Sequence, residues 1–282
     1  MALGVIFFIS ALTGMAIESA KADDLPDNVW VEAARYLRET EIENGVLPKI
    51  TSRFPSLTIT DAYQIQNSFI ESRDRDTIIA GYKAGFTGTE GREKFGVQHP
   101  VSGVLFEGCG YRDGISISLS EYPGLMLEIE IGFRLKKTVK NRIEEFEDLE
   151  GFVTAALPVI ELPQVKFGNM QDITGIDLVS TNMASACWIE GAPLSGLLPE
   201  NYDSLEVELY RGTDLVDSGL AGAVNGQREA LIWLINHLHE RNISLDQGLL
   251  LLTGKIGKIS LARVGEYRAV YEEREVVFKI NP

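Results

Sequence analysis

The order of apolar and polar positions predicts two helices at the start of the chain and a sheet-rich core after them. Residues 28–40 and 62–73 carry apolar side chains at helical spacing, and Thr60 or Asp61 is placed to cap the second helix. Helical spacing returns at 230–238. Short apolar runs interrupted by glycine are typical of strands; they cover 78–86, 103–106, 115–117, 152–162, 249–253 and a closing hairpin over 266–280. Because the sequence shows no linker or internal repeat, it predicts one α/β domain.

One run differs from the others because carboxylates alternate with apolar residues. In Leu127-Glu128-Ile129-Glu130-Ile131, a strand would place both glutamates on one face and the three apolar side chains on the other. Parallel carboxylates at short range repel each other, and a hard cation such as Mg²⁺ removes that repulsion because it prefers oxygen ligands. The alternative interpretation is an edge strand with a solvated acidic face, and the same Glu-x-Glu spacing recurs at Glu206 and Glu208.

Two further charged residues lie in apolar strands. Lys83 lies within Gly81-Tyr82-Lys83-Ala84-Gly85, and Glu161 ends the apolar run 152–162. A buried charge without a partner is unfavourable, so each of these side chains needs an opposite charge, a ligand or a path to solvent. With Glu128 and Glu130 they form a candidate set of three hard oxygen ligands and one cation. Such a set suits a metal that chelates a small oxo acid.

The charge of the chain limits its partners. A net charge of −15 over 282 residues argues against nucleic acid and anionic membranes, because both require a basic surface. An acidic protein that binds a small anion needs a local positive centre, such as a metal ion or a placed lysine. The two cysteines, Cys109 and Cys187, lack metal-ligand spacing. They are either buried thiols or, in an oxidising compartment, a disulfide.

The first residues predict export. Leu3 to Ile17 form an apolar run, which the small-x-small pattern Ala20-Lys21-Ala22 follows. We interpret 1–22 as a secretory signal peptide, 23–80 as an N-terminal helical layer and 81–282 as the catalytic core, with the last two forming one domain. The predicted location is periplasmic or secreted, with no membrane association of the mature chain. If the segment is not a signal peptide, the predicted location is cytoplasmic.

Five motifs follow one another in a recognisable order. They are GYKAGFTGTEGREKFGVQHPVSGVLFEG at 81–108, LEIEI at 127–131, LPVIE at 157–161, VSTNMAS at 179–185 and a helix, a turn and an LLTG strand over 231–254. In order and spacing they resemble the 2-oxopent-4-enoate (2-keto-4-pentenoate) hydratases across essentially the whole mature chain. These enzymes belong to the fumarylacetoacetate hydrolase superfamily, which also includes the 4-oxalocrotonate decarboxylases.

The resemblance implies an α/β fold of mixed, curved β-sheets of the fumarylacetoacetate hydrolase type, in a homo-oligomer that uses Mg²⁺ or Mn²⁺. It implies that Glu128, Glu130 and Glu161 bind the metal, which chelates the carboxylate and 2-oxo group of a small 2-oxo acid. Lys83 would be catalytic: it would stabilise negative charge, or shuttle protons if burial lowers its pKa toward the working pH. The implied substrate-binding residues are Thr181, Asn182, Ser185, Thr253 and Lys255.

Three positions depart from the family pattern. Thr181 and Leu249 stand where the family has aspartates, and Lys255 stands where it has a small residue. The resemblance implies a hydro-lyase that adds water to a 2-oxo-4-alkenoate such as 2-hydroxypenta-2,4-dienoate and forms a 4-hydroxy-2-oxo acid, as in aromatic compound catabolism. The alternatives are a 4-oxalocrotonate-type decarboxylase and a secreted relative that binds the metal and an oxo acid without catalysis.

Overall fold

Helices form the N-terminal part of the described chain. The computed structural model describes residues 29–73, 78–145, 149, 151–194 and 199–282, so the predicted signal peptide lies outside the described residues. The first three helices are Val29–Asn44, Ile50–Arg53 and Ile59–Glu71. The two long helices bury their apolar stripes against each other around Leu37, Ile65 and Phe69. No helix of the described residues has the length and apolar character needed to cross a membrane.

The start of the helix Ile59–Glu71 corrects the predicted cap. The N-cap is Thr58, not Thr60 or Asp61, and its hydroxyl accepts a hydrogen bond from the Asp61 backbone N–H at 3.2 Å. The Asp61 carboxylate accepts the Thr58 backbone N–H at 2.8 Å. The predicted caps, Thr60 and Asp61, lie two and three residues after the N-cap, because a capping box spaces its two partners three residues apart, with the second inside the first turn.

Strands are the main regular structure of the remaining described chain, as the short apolar runs predicted. The strands are β1 Ile79–Gly85, β2 Val101–Phe106, β3 Gly110–Arg112, β4 Ser116–Ser118, β5 Met126–Leu135, β6 Val153–Leu162, β7 Cys187–Glu190, β8 Glu206–Arg211, β9 Asp214–Leu220, β10 Leu250–Leu252, β11 Ile256–Leu261, β12 Gly265–Tyr271 and β13 Arg274–Asn281. The helices between them are Thr89–Phe95, Gly175–Ser180 and Gln227–Glu240. The last of these buries Leu231, Leu234, Ile235 and Leu238, which confirms the predicted helical stripe.

The larger sheet is mixed and strongly curled. Its strand order is β2-β1-β10-β5-β6-β7-β3, with β11 also pairing with β5. Three strand-to-strand steps separate β1 from β6, which would be roughly 14 Å in a flat sheet. The side chains of Lys83 on β1 and Glu161 on β6 nevertheless form a direct ion pair. The sheet therefore curves until these two strands face each other across its concave side.

A second sheet, ordered β4-β13-β12-β8-β9, packs against the convex side of the first. The core between them includes Ile129 and Ile131 of β5 together with Tyr271 of β12. The Tyr271 hydroxyl lies 2.7 Å from the carbonyl oxygen of Val159 on β6 and 3.1 Å from that of Glu130 on β5. This hydroxyl fixes the second sheet to the two strands that carry the acidic residues.

Candidate metal centre

Strands β5 and β6 bring the three predicted carboxylates together. Their antiparallel register places Glu128 directly opposite Glu161, and Glu130 follows two residues later on the same face. One oxygen from each of Glu128, Glu130 and Glu161 lies within 4.8 Å of the others. Glu130 and Glu161 are each 1% exposed and Glu128 is partly exposed, so the cluster has one side open to solvent. The edge-strand interpretation of Glu128 and Glu130 is wrong, because β5 is a central strand paired on both sides.

Lys83 supplies the positive charge of the cluster. It is 4% exposed, and its ammonium donates a short hydrogen bond to Glu161. Gly103 on the neighbouring strand β2 makes room for this side chain, since a Cβ there would stand 3.3 Å from Cε of Lys83 and 3.1 Å from the carbonyl oxygen of Asn182. The buried lysine therefore has a partner, which was one of the alternatives that the sequence left open.

Gly254 provides a backbone contact to Glu130. Its N–H donates to Oε2 of Glu130 at 3.0 Å. Gly254 has a φ of 109°, and a Cβ at this position would come within 2.6 Å of Oγ1 of Thr87. Only glycine combines this backbone conformation with this close approach. The glycine of the LLTG motif therefore orients one of the acidic side chains.

Mutual repulsion within a buried site perturbs two of the carboxylates. Burial, and then the charge of Glu161, raise the pKa of Glu128 to about 7. Burial, and then repulsion from Glu161 and Glu128, raise the pKa of Glu130 well above its ordinary value. Three hard oxygen donors whose charges destabilise one another fit a hard divalent cation, because the cation neutralises the repulsion and favours oxygen ligands.

The pKa of Lys83 corrects one expectation. Burial alone lowers it, but Glu161, Glu128 and Glu130 together outweigh burial, and the pKa of Lys83 is raised above its ordinary value. The resemblance implies proton shuttling by Lys83 only if burial lowers this pKa. With the three carboxylates charged, Lys83 instead keeps its proton and its positive charge.

We expect the protein without divalent ions to lose stability as the pH rises from about 4.5 to about 7. The folded chain holds a proton on Glu128 up to about pH 7, whereas an unfolded chain releases it near 4.5. The folded state therefore binds more protons in this window, and the free energy of unfolding falls as the pH rises. Thermal unfolding in EDTA should show a decrease of Tm of about 3–6 °C that Glu128→Gln diminishes. Equal slopes for the two proteins would contradict this prediction.

The predicted substrate-binding residues do not form one group. Thr253 is fully buried, and its hydroxyl contacts Gln227 and the carbonyl oxygen of Ile131 instead of pointing to the carboxylates. Lys255 is exposed, and its ammonium donates to the carbonyl oxygen of Gly257 at 2.9 Å. The positive charge of Lys255 nonetheless acts on Glu128. Of these two residues, Lys255 is the one that lies at the open side of the cluster.

Asn182 and Ser185 close the curled sheet at its β2 edge. The side chain of Asn182 pairs with both backbone groups of Val104, accepting the N–H at 2.7 Å and donating to the carbonyl at 3.0 Å. Ser185 donates to the same carbonyl at 2.8 Å. Residues 182–184 have φ values between 53° and 60°, a left-handed turn that aims Asn182 at the strand. Both side chains therefore form the hydrogen bonds to Val104 that the backbone of a neighbouring strand would otherwise form.

Thr181 lies beside this turn but is directed away from the carboxylates. Its hydroxyl lies 3.0 Å from the carbonyl oxygen of Asp177 and 3.2 Å from that of Leu178, at the end of the helix Gly175–Ser180. Thr181 and Ser185 instead line a separate cavity of about 170 Å³, whose lining includes none of the three glutamates or Lys83. Asn182 and Lys83 therefore both lie next to Gly103, whereas Thr181 and Ser185 line the separate cavity.

Known proteins resemble this chain in sequence and in the arrangement of its strands. No protein-family model matches the chain. The 4-oxalocrotonate decarboxylase of Pseudomonas sp. (strain CF600) is 24% identical over 79% of this chain and 85% of its own length. The 2-keto-4-pentenoate hydratase of Paraburkholderia xenovorans (strain LB400) is 26% identical over 83% and 88% of the two chains. The chain is related to these hydratases and decarboxylases. This relationship confirms the resemblance to the hydratases and decarboxylases that the five sequence motifs of this chain indicated.

The fold of the hydratase/decarboxylase family is present as well. The structure of the 4-oxalocrotonate decarboxylase of Pseudomonas putida G7, solved with magnesium and adipate, superimposes with a TM-score of 0.82. The two chains are 23% identical, and the match covers 91% of this chain and 99% of the decarboxylase. The predicted α/β fold with mixed, curved sheets of the fumarylacetoacetate hydrolase type is therefore confirmed.

Two supporting groups were not predicted from the sequence. The Gly254 N–H donates to the side chain of Glu130. The Tyr271 hydroxyl donates to the backbone carbonyl oxygen of Glu130. The glycine of LLTG was a usable signal, because a glycine in or beside a strand often marks a close backbone approach. Tyr271 carried no such signal, because it lies more than 100 residues from both of its partners.

Proposed function

We propose that the protein is a divalent-metal-dependent lyase that adds water to a 2-oxo-4-alkenoate, forming a 4-hydroxy-2-oxo acid. The observation that carries this proposal is the cluster of Glu128, Glu130 and Glu161 with Lys83 bound to it, on the curled sheet shared with the decarboxylase of Pseudomonas putida G7. The related hydratase and decarboxylase sequences support the lyase class.

The three glutamates would hold Mg²⁺ or Mn²⁺. When bound, such an ion supplies a Lewis acid that chelates the carboxylate and 2-oxo oxygens of the substrate and stabilises the enolate charge that develops during ketonisation. Gly254 keeps Glu130 oriented through its N–H. Tyr271 holds the backbone of the same strand, so two of the chain's own groups preserve the spacing of the donors.

Lys83 has two roles in this proposal. Its ammonium holds Glu161 in position and presents a positive charge beside the oxygens of the substrate. The three carboxylates raise the pKa of Lys83, so that its ammonium carries a proton. Its second role is to donate that proton to the substrate carbon skeleton.

The concave face of the sheet excludes bulk water below the cluster. An apolar layer fills this region and strengthens the electrostatic interactions of the charged groups above it. Its members are Leu105, Leu157, Val159, Trp188, Leu250 and Leu252. Water therefore reaches the reacting carbons from the open side, where Glu128 is partly exposed.

An assay with 2-hydroxypenta-2,4-dienoate tests the hydratase proposal. We expect the purified protein with Mg²⁺ or Mn²⁺ to consume this dienol, which the decrease in ultraviolet absorbance measures. The product should be the 4-hydroxy-2-oxo acid, which mass spectrometry identifies. EDTA should abolish turnover, and added metal should restore it. Intact metal binding with no turnover of this substrate or of 4-oxalocrotonate would contradict the proposal and favour a non-catalytic relative.

Decarboxylation of an oxalocrotonate-type acid is the second candidate. Lys255 favours it, because this exposed cation acts on Glu128 at the open side and suits a substrate with a second carboxylate. The decarboxylase relatives support the same chemistry. Release of carbon dioxide from 4-oxalocrotonate, with slower hydration of the dienol, would assign the protein to the decarboxylases.

The proposed protein is a homo-oligomer. Exposed apolar side chains on the neighbouring strands β9 and β11 support this assembly; they are Leu215, Leu220, Ile259 and Leu261. Light scattering measures the mass of the purified protein and tests for the oligomer.

Export to the periplasm or medium is a separate proposal that rests on residues 1–22 alone. The mass of the mature protein in its host tests for removal of this segment.

A further inference from the structure

Cys109 and Cys187 lie side by side where the two ends of the curled sheet approach each other. Strands β3 and β7 are parallel, with Gly110 opposite Trp188, so the residues just before these two are also neighbours. Adjacent strands are about 4.8 Å apart, which is within the Cα separation that disulfides span. The thiol of Cys187 lies close enough to that of Cys109 to shift its pKa. The pair is reduced in this structure and lies outside the acidic cluster.

A cavity gives small molecules access to this pair. Both cysteines line the cavity of about 170 Å³, and so do Arg73 and Lys166. These two cations share one carboxylate, that of Glu41, at 3.8 Å and 2.8 Å. Arg73, Lys166 and Glu41 together carry one net positive charge, which favours the binding of an anionic molecule in the cavity. Cys109 is partly exposed whereas Cys187 is buried, so a molecule in the cavity reaches Cys109 first.

The thiols also differ in protonation. The hydrogen bond from Cys187 and, to a smaller degree, the charge of Arg73 lower the pKa of Cys109 to about 7. The hydrogen bond to Cys109 and burial raise the pKa of Cys187. Tyr111 and Tyr122, whose hydroxyls are 3.0 Å apart, also face Cys187. Cys109 is therefore the thiolate that attacks, and Cys187 is the thiol that follows.

We propose that Cys109 and Cys187 form a reactive dithiol that small anionic disulfides, such as oxidised glutathione, convert into an intramolecular disulfide. The Cys109 thiolate attacks one sulfur of the small disulfide, whose S–S bond breaks and releases one thiolate, which takes up a proton. Cys187 then loses its proton and attacks Cys109 in the mixed disulfide, releasing the second small thiol. In total, two protein thiols and one small disulfide give one protein disulfide and two small thiols.

Mass spectrometry of the whole chain after incubation with oxidised glutathione tests this proposal. We expect the wild type to lose two hydrogens, to retain no glutathione and to yield a linked peptide pair that contains both cysteines. Cys187→Ser should stop at the mixed disulfide and retain one glutathione on Cys109. Cys109→Ser should react at least tenfold more slowly. The rate of the first step should rise with pH through about 7, as the Cys109 pKa requires.

A second measurement separates this chemistry from effects on folding. Tm and Mn²⁺ affinity of both serine variants are compared with the wild type, because the cysteines lie outside the acidic cluster and should leave Mn²⁺ affinity unchanged. Retention of glutathione by the wild type, persistence of both free thiols, or equally fast reaction of folded Cys109→Ser would each overturn the proposal.

Discussion

Glu130→Gln is expected to lower the affinity for Mn²⁺ by at least about 100-fold, because even the outer partners of metal ligands contribute 10- to 100-fold. Turnover at a fixed metal concentration should fall by about 1,000-fold, which corresponds to about 4 kcal/mol of lost stabilisation. Glutamine keeps the size of the side chain and an oxygen that accepts the Gly254 N–H, so the fold is retained. Isothermal titration with Mn²⁺ and the dienol assay measure the two effects.

Stability gives an independent reading of the same substitution. Because burial and repulsion raise the pKa of Glu130, its removal should raise Tm in EDTA at pH 8 while abolishing the increase in Tm that metal causes in the wild type. Glu206→Gln is a matched control, since Glu206 belongs to the second Glu-x-Glu pair, is exposed and lies on β8 of the other sheet. Unchanged metal affinity in Glu130→Gln, or an equal loss in Glu206→Gln, would show that the metal site lies elsewhere.

Lys83→Met is expected to separate catalysis from metal binding. Turnover at saturating Mn²⁺ should fall by about 1,000-fold, within the range for the loss of a proton-transferring group. Mn²⁺ affinity should be equal to or higher than that of the wild type, because the ammonium no longer competes for Glu161. In EDTA the variant should be destabilised by about 3–5 kcal/mol, since the buried carboxylate of Glu161 loses its partner. Added Mn²⁺ should restore this stability.

The control for this variant is Lys279→Met. Lys279 is about half-exposed on β13, and its ion pair with Glu266 at 3.6 Å is on the surface, so its loss should change neither turnover nor Tm in EDTA measurably. Steady-state kinetics at saturating metal, with thermal unfolding at several Mn²⁺ concentrations, provide the comparison. If Lys83→Met retained more than a tenth of wild-type turnover, the proposed role of Lys83 would be wrong.

The local elements and the charged residues of the cluster were predictable because each has a short-range signal. The helix Gln227–Glu240 follows from its apolar stripe, and β6 follows from an uninterrupted apolar run. Glu161 and Lys83 were identified because a charge inside an apolar strand requires a partner. The cap of the helix Ile59–Glu71 was placed incorrectly, since several polar residues near its start satisfy the same pattern and only the hydrogen bonds distinguish Thr58.

The substrate-binding assignments illustrate what adjacency in a motif does not determine. Asn182 and Ser185 were grouped with Thr181 because the motif VSTNMAS resembles a family segment, yet the left-handed turn sends the first two to Val104. The Thr181 hydroxyl returns to its own helix. Side-chain direction at a turn depends on backbone dihedrals that the pattern of residue types does not specify.

By itself, the sequence determined the type of each main element, the family motifs and the identity of the acidic and basic side chains, because these depend on local periodicity and on the penalty for burying charge. The tertiary structure decided which charges meet. Strand register places Glu128 opposite Glu161, and the curl of the sheet brings Lys83 to Glu161. The same curl sets the raised pKa of Lys83, whereas the pairing of β3 with β7 brings Cys109 to Cys187; both contacts join residues 78 positions apart.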